Sequence, residues 1–375
     1  MKARVSATTA LGDAIGYAAG ALRPGATVRL TAAEGELVIS GREPGISRSF
    51  TLAADVDDPG ECVVSARAAS AVLTAAAHIG VDLVLEPEDQ RLWVTAADHV
   101  GADLSIDVAE PYAVVPGPEV EWISHGTVTP ILLNAAVAAV GRLAEVDGMH
   151  AVLGGVHLVM ADGALTATAS ERHLVGRRTE PLAADAGAPL DLVLPARELQ
   201  QAVGAIHRHT VRGAPTYSSV QVDSAVVDRA TWLRLTTEHA SVTLRAIDQP
   251  YPTIPPAPAP VDHTTVVIAT LLAALDNAAA VSPHVAVSSV GAGVLLKAQG
   301  PAGTLAQLVP ATSWSVPGSV TVTVEHLVLA LELFEDDIER VVLAATGPTK
   351  PLVLSDQGPA GPWTVTVAAR RDLQR

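Results

Sequence analysis

Apolar spacing along the chain falls into two kinds of stretch, and the same succession comes round three times. Thr8–Leu22, Thr129–Leu143 and Ile268–Ala280 each carry apolar residues at helical spacing. Each is followed by apolar–polar alternation around a glycine, at Val28–Ser40, His157–Thr168 and His284–Ala298, which predicts three β-hairpins. A short apolar strand then feeds a second helix. Cys62–Arg67 leads into an Ala-rich helix running to Ala77, Leu192–Arg197 into one ending near Ile206, and Val320–Val324 into His326–Phe334. Further alternating runs close each unit. They are Asp82–Leu85, Leu92–Thr95 and Asp103–Val108, then Ser219–Val222, Trp232–Thr236 and Ser241–Ala246, then Arg340–Ala344, Leu352–Leu354 and Trp363–Val367.

The second-helix entry recurs at a spacing of about 130 residues, a third of the chain, so the repeat is a whole domain rather than a solenoid turn. Pro-rich joints at Pro111–Pro118 and Pro250–Pro260 separate the units, because proline fixes φ and cannot continue a ladder. Three domains are therefore expected, at residues 1–118, 119–256 and 257–375. The fold class is α+β: three tandem domains, each with two helices on an antiparallel sheet. Short linkers would string such units into an arc with all helices on one surface. If that surface met DNA, it should carry Lys or Arg.

Composition narrows the function. Lys plus Arg number 24 against 40 Asp plus Glu, a net charge of −16, which excludes a generic basic nucleic-acid coat but not a local basic lining. Apolar residues make up 49% and aromatics only 3%, so the cores must be built from Val, Leu, Ile and Ala. Cys62 is the single cysteine, which excludes an intramolecular disulfide and a Cys-based zinc cluster; it reads as a small buried hydrophobe. Ala298–Val324, the longest uncharged stretch, contains Gln307, Pro310 and Pro317 and makes a poor spanning helix. Lys2 and Arg4 are not followed by an apolar stretch with a cleavage site, so a soluble cytoplasmic protein is expected.

Several stretches resemble one family in order and spacing. Met1-Lys2-Ala3-Arg4-Val5 with Leu11-Gly12-Asp13-Ala14 resembles the actinobacterial start of the bacterial DNA polymerase III beta subunit, the sliding clamp. Ala169-Ser170-Glu171-Arg172-His173-Leu174-Val175 is similar to its Ala-Thr-Asp motif with the following Arg-Leu. Leu192–Arg197 resembles its Val-Pro-basic helix entry, and Asp248-Gln249-Pro250-Tyr251-Pro252 its aromatic-Pro turn. The resemblance covers nearly the whole chain. It implies a DNA clamp fold, a head-to-tail homodimeric ring with twelve helices lining the hole, and no catalysis or cofactor. The implied partners are double-stranded DNA, held weakly and topologically, and a DNA polymerase and clamp loader that dock through short linear peptide motifs.

Carried onto this sequence, the resemblance assigns Arg23, Arg67, Arg142, Arg197 and Arg208 as DNA-facing. The peptide-binding pocket would comprise Leu153, Ser170, Arg172, His173, Leu174, Val175 and Pro252, with Val367, Ala368 and Ala369 from the tail. The dimer interface would join the strand carrying Leu104 and Ile106 to the strand carrying Leu305 and Leu308, with Leu272 and Leu275 on a flanking helix. The chain departs from the family in two places. Across the helical windows the four arginines Arg67, Arg142, Arg197 and Arg208 stand against Asp13, Glu198, Asp276, Glu325, Glu332 and Glu335, so phosphate neutralisation is modest. The tail reads Val367-Ala368-Ala369-Arg370 where the family has Met and Pro, and His173 stands where the family has Arg, leaving Arg172 as the nearby charge. Each buried methylene removed from such a pocket costs about 0.8 kcal/mol, so an altered peptide preference is expected. These departures give an alternative: a clamp paralogue with weakened DNA function that binds a clamp-directed inhibitor or peptide as a self-resistance decoy.

Other constellations have plainer readings. His207-Arg208-His209 has no third ligand at a suitable spacing and reads as a solvated helix end. The run Glu332, Glu335, Asp336, Asp337 and Glu339 lacks the alternation and turn glycine of a calcium loop. Gly291-Ala292-Gly293 before Lys297 lies between alternating runs and reads as a hairpin turn, not a phosphate loop. No Gly-x-Ser-x-Gly elbow occurs. Arg177-Arg178 and Arg370-Arg371 read as solvated basic pairs.

Overall fold

The computed structural model describes residues 1–5, 9–19, 26–43, 45–77, 83–88, 91–96, 103–107, 120–144, 150–182, 187–213, 219–254, 262–291, 293–312, 318–335, 338–345, 347–356 and 362–370. The element order is one pattern written three times. The first repeat runs β1 (Lys2–Val5), α1 (Thr9–Ala19), β2 (Thr27–Ala33), β3 (Glu36–Glu43), β4 (Ile46–Ala53), β5 (Asp55–Asp58), β6 (Gly60–Ser65), α2 (Ala66–Ala77), β7 (Leu83–Glu88), β8 (Arg91–Ala96) and β9 (Asp103–Asp107). The second runs β10 (Ile123–Val128), α3 (Pro130–Gly141), a 3-10 turn (Ala151–Gly154), β11 (Gly155–Ala161), β12 (Ala164–Ser170), β13 (Leu174–Pro181), β14 (Leu190–Pro195), α4 (Ala196–Gly213), β15 (Val220–Val227), β16 (Ala230–Thr236) and β17 (Ala240–Arg245). The third runs β18 (Asp262–Val267), α5 (Ile268–Ala279), β19 (His284–Val290), β20 (Gly293–Gly300), β21 (Gly303–Pro310), β22 (Ser319–Thr323), α6 (Val324–Glu335), β23 (Arg340–Ala345), β24 (Leu352–Ser355) and β25 (Trp363–Val367). The expected helices are all present, with α4 extending a further two turns. Both expected domain boundaries fall outside the described residues.

By contact density the chain forms two compact units, which cut across the repeats. The first comprises Met1–Asn134, Ala183–Leu190 and Arg197–Asp248. It holds a five-stranded sheet, β5-β1-β7-β8-β9, and an eight-stranded sheet, β10-β15-β16-β17-β4-β3-β2-β6. The larger sheet joins strands of two repeats where β17 pairs antiparallel with β4, from Ala240 opposite Phe50 to Leu244 opposite Ile46. Ile46, Arg48 and Phe50 point to the buried face. Arg48 is 4% exposed there, with Nη1 3.8 Å from the Glu43 carboxylate. Beside it Phe50 meets Tyr17 of α1 edge-on at 5.9 Å, and burial pushes the Tyr17 hydroxyl well above its ordinary pKa, with Arg48 opposing. On the other face Ser49 and Ser241 share a 3.0 Å hydrogen bond across the same seam.

The second unit comprises Ala135–Leu182, Asp191–Ala196 and Gln249–Arg375. Its eight-stranded sheet, β14-β11-β12-β13-β25-β24-β23-β18, repeats the arrangement, with β13 paired to β25 from Leu174 opposite Val367 to Arg178 opposite Trp363. Trp363 is 2% exposed and packs on Phe334 of α6 at 5.3 Å. A four-stranded sheet, β21-β20-β19-β22, completes the unit, and α5 packs over it and against α6. Among the described residues no helix is long and apolar enough to cross a membrane.

The helices sit close to their sheets because glycines face them. A Cβ on Gly41 of β3 would land on the carbonyl oxygen of Ala18 in α1, and one on Gly300 of β20 on that of Val281, just past α5. Backbone cannot step aside as a flexible side chain would. Gly41→Ala and Gly300→Ala should therefore each lower unfolding stability by about 1–3 kcal/mol, read as a fall in urea midpoint at unchanged m-value.

Candidate functional site

The proposed peptide pocket centres on a tight turn. Ser170 at the end of β12 pairs with Val175 of β13, and three residues, Glu171, Arg172 and His173, carry the chain from β12 to β13. The Glu171 and His173 amides donate to Leu174 O at 3.1 Å and Glu171 O at 2.6 Å, while Ser170 Oγ donates to Leu174 O at 2.9 Å. Arg172 takes φ of 63°, the left-handed region that an L side chain enters at a cost of about 1–2 kcal/mol. This geometry puts Arg172 and His173 out in solvent and turns Leu174 into the core, where it is fully buried.

The C-terminal tail is fastened beside this turn. After Val367 the chain leaves its sheet, yet the Ala368 amide donates to His173 O at 2.9 Å and the Arg370 amide donates to Thr321 O of β22 at 2.8 Å. Residues 368–370 are thus pinned at both ends, with Ala368 exposed and Ala369 half-buried. The His173 ring stacks on His326, in the first turn of α6, with centroids 4.7 Å apart and planes at 18°. His326 Nε2 lies 4.0 Å from Glu171 Oε1, a buried oxygen with no hydrogen-bond partner.

The turn and the β13–β25 ladder bring Ser170, Arg172, His173, Leu174, Val175, Val367, Ala368 and Ala369 into one place. Leu174 and Val367 are wholly buried and Ser170 is 6% exposed, so these three form the floor, and the exposed contact surface is left to Arg172, His173, Val175 and the tail. Leu153 and Pro252 lie on separate segments. Leu153 is half-buried in the 3-10 turn before β11. Exposed Pro252 follows Tyr251, whose ring stacks on His157 at 4.9 Å; His157 Nε2 in turn meets Asp191 Oδ1 at 2.7 Å. Burial pushes the Tyr251 hydroxyl up to about 12, and its oxygen has no hydrogen-bond partner. Sequence reasoning missed His326, Glu171 and the Tyr251–His157 stack. Glu171 stood inside the Ala169–Val175 motif, and His326 is the one imidazole of α6, but nothing in the spacing paired it with His173.

Three of the expected DNA-facing arginines lie on helices. Arg67 is the second residue of α2 and Arg197 the second of α4; Arg208 lies farther along α4 and Arg142 just past α3. All four are exposed, while Arg23 lies outside the described residues. Of the expected interface residues, Leu308 on β21 is 56% exposed and Leu305 half-buried. Leu272 of α5 is half-buried and Leu275 wholly buried in the chain's own core, as is Ile106 of β9 at 2% exposure. Leu104 is placed on β9, with its side chain outside those described. The basic pair Arg177-Arg178 belongs to β13, where both side chains are half-buried and Arg178 Nε contacts Glu180 at 2.6 Å. Gly291 and Gly293 lie at the β19–β20 hairpin. Cys62 is buried, which pushes its thiol up to about 11 and leaves it a poor nucleophile.

No family model and no curated relative matches the sequence. Solved structures do match in fold. The DNA polymerase III subunit beta of Pseudomonas aeruginosa superposes at TM-score 0.80 with 15% identity, covering 99% of this chain and 100% of that one. The DNA polymerase sliding clamp of Bacillus subtilis gives TM-score 0.76 at 15% identity, over 99% of both chains. The sliding clamp of P. aeruginosa bound to griselimycin gives 0.78 at 15% identity, again over 99% of both. The chain therefore has the α+β sliding-clamp fold along almost its whole length.

The tail clasp is open to direct test. Ala368→Pro removes the amide that donates to His173 O, so deuterium uptake at the Arg370 amide should rise at least tenfold in rate while the global unfolding midpoint stays within error.

Proposed function

We propose that two copies of this chain close head to tail into a ring around duplex DNA and tether a polymerase and repair partners to it, as a sliding clamp. The carrying observation is the state of the strand edges. β4 and β13 hold equivalent places in their repeats, and each is paired with the last strand of the following repeat, β17 and β25. β21 holds the same place in the third repeat and β9 is the last strand of the first, yet among the described residues each ends its sheet. Unpaired edges are templates for another strand, and two unlike edges meeting between copies give a head-to-tail contact that can close. Leu308 and Leu305 lie on one edge strand, Leu104 and Ile106 on the other, with Leu272 and Leu275 on α5, which packs against β21. The fold shared with solved clamps supports the same reading.

In this reading the three repeats are domains 1–118, 119–256 and 257–375 of a cytoplasmic protein, and the task is topological: a closed ring stays on DNA without a reacting group or a tight contact. Arg23, Arg67, Arg142, Arg197 and Arg208 face the duplex. Polymerase and clamp loader dock by short linear peptides beside the pinned tail, against Arg172, His173, Val175, Ala368 and Ala369, over a floor of Ser170, Leu174 and Val367, with Leu153 and Pro252 at the margins. Alanines in the tail offer a peptide less apolar surface than longer side chains, by about 0.8 kcal/mol per buried methylene.

Retention on DNA separates topology from adhesion. After incubation with a bacterial clamp loader and ATP, the protein should co-elute with nicked circular plasmid and be released when the plasmid is cut once. Leu308→Asp should abolish co-elution while leaving the monomer folded by circular dichroism. Retention that survives linearisation, or peptide binding with no loading at all, would contradict the clamp reading.

A further inference from the structure

We infer that the docking segment lays an aromatic side chain on the outer face of His173, and that His326 is the positioning residue that holds this platform in place. The inference rests on the peptide-docking reading and adds to it the kind of side chain the rim selects.

Every part of this platform lies in the second compact unit. His173 is exposed, yet it is held at three points. Its amide donates to Glu171 O, its carbonyl accepts from the Ala368 amide, and its ring stacks on that of His326 with centroids 4.7 Å apart and planes at 18°. His326 is half-buried in the first turn of α6 and covers one face of the His173 ring, which leaves the other face to solvent. His326 Nε2 lies 4.0 Å from the buried Glu171 Oε1, an oxygen with no hydrogen-bond partner, so the second ring is itself seated against the turn that carries the first.

The rest of the rim suits a large flat occupant. Ala368 and Ala369 bring only methyl groups to the platform, and Val175 adds a short branched side chain. A third ring extends the stack at the spacing aromatic pairs prefer and gains more than its buried area alone. Arg172, just before His173, and Arg370, at the end of the pinned tail, are both exposed, so a guanidinium stacked here would meet like charge and an aromatic ring would not. His326 needs no contact with the partner to matter. With its ring beneath, His173 is ordered before binding, so that ordering does not weaken the complex when the segment arrives. Without that ring His173 regains rotamer freedom and its outer face is no longer fixed.

The test uses the full chain. Dodecapeptides are selected on it from a random phage library, and one whose binding is abolished by Ala368→Asp is labelled with fluorescein for anisotropy. That peptide should contain Trp, Tyr or Phe, and replacing this residue by Leu should weaken binding about three- to tenfold. His326→Ala should cut the preference for the aromatic peptide over its Leu counterpart to below about twofold, whereas His326→Phe, which puts a ring back beneath His173, should restore it. A merely structural role for His326 would weaken both peptides alike and leave the preference intact. Equal binding of the two peptides by the unaltered chain, a preference that survives His326→Ala, or one that His326→Phe does not restore would overturn the inference. Failure to select any peptide sensitive to Ala368→Asp would instead contradict the peptide-docking reading itself.

Discussion

Backbone amides and carbonyls along a sheet edge must find partners, and this chain leaves two such edges whose counterparts elsewhere in the molecule are joined. Where β17 meets β4 and β25 meets β13, five facing residue pairs in each case turn two half-sheets into one. The pairing is non-local in sequence, and side chains reinforce it on both faces. Ser49 bonds Ser241 on one face of the first seam, and Ile46 and Phe50 bury the other. β9 is the counterpart of β17 and β25, and β21 that of β4 and β13, and among the described residues both end their sheets. In the proposed ring, closure requires no new kind of contact, only a third instance of a pairing already made twice within the chain.

The same seams build the proposed peptide site. The β13–β25 ladder sets Leu174 opposite Val367, which brings the β12–β13 turn alongside the tail. From there two backbone hydrogen bonds, to His173 O and Thr321 O, hold the tail between one sheet and the edge strand of another. The floor of Ser170, Leu174 and Val367 is closed to solvent, and the rim carries Arg172, His173 and the exposed tail alanine. His326, stacked under His173 and facing a buried Glu171 oxygen, ties the rim to α6.

Much of this was readable from the residues. The threefold succession, all six helices and the hairpins follow from spacing, because each helix has one buried face and each hairpin strand alternates. The seam strands β4 and β13 did not announce themselves, and the reason is charge. Arg48 occupies an inward position of β4, where alternation calls for an apolar residue, and the fold accommodates it beside Glu43. Arg177-Arg178 interrupts β13 in the same way and read as a solvated pair, whereas both are half-buried in the middle of a sheet. For the site, the family resemblance supplied the turn and the tail, but the His173–His326 stack joins residues far apart in sequence and no local pattern predicts it. The family resemblance put Leu275 and Ile106 at the interface, and burial shows that each serves its own core.

Closure by a second copy is the central claim, and sedimentation equilibrium of the purified protein at micromolar concentration tests it most directly. Pairing of the two open edges predicts a mass of twice the 38.4 kDa chain, unchanged on dilution through that range. A single species at 38.4 kDa would contradict it, since an open chain has no means of staying on a duplex.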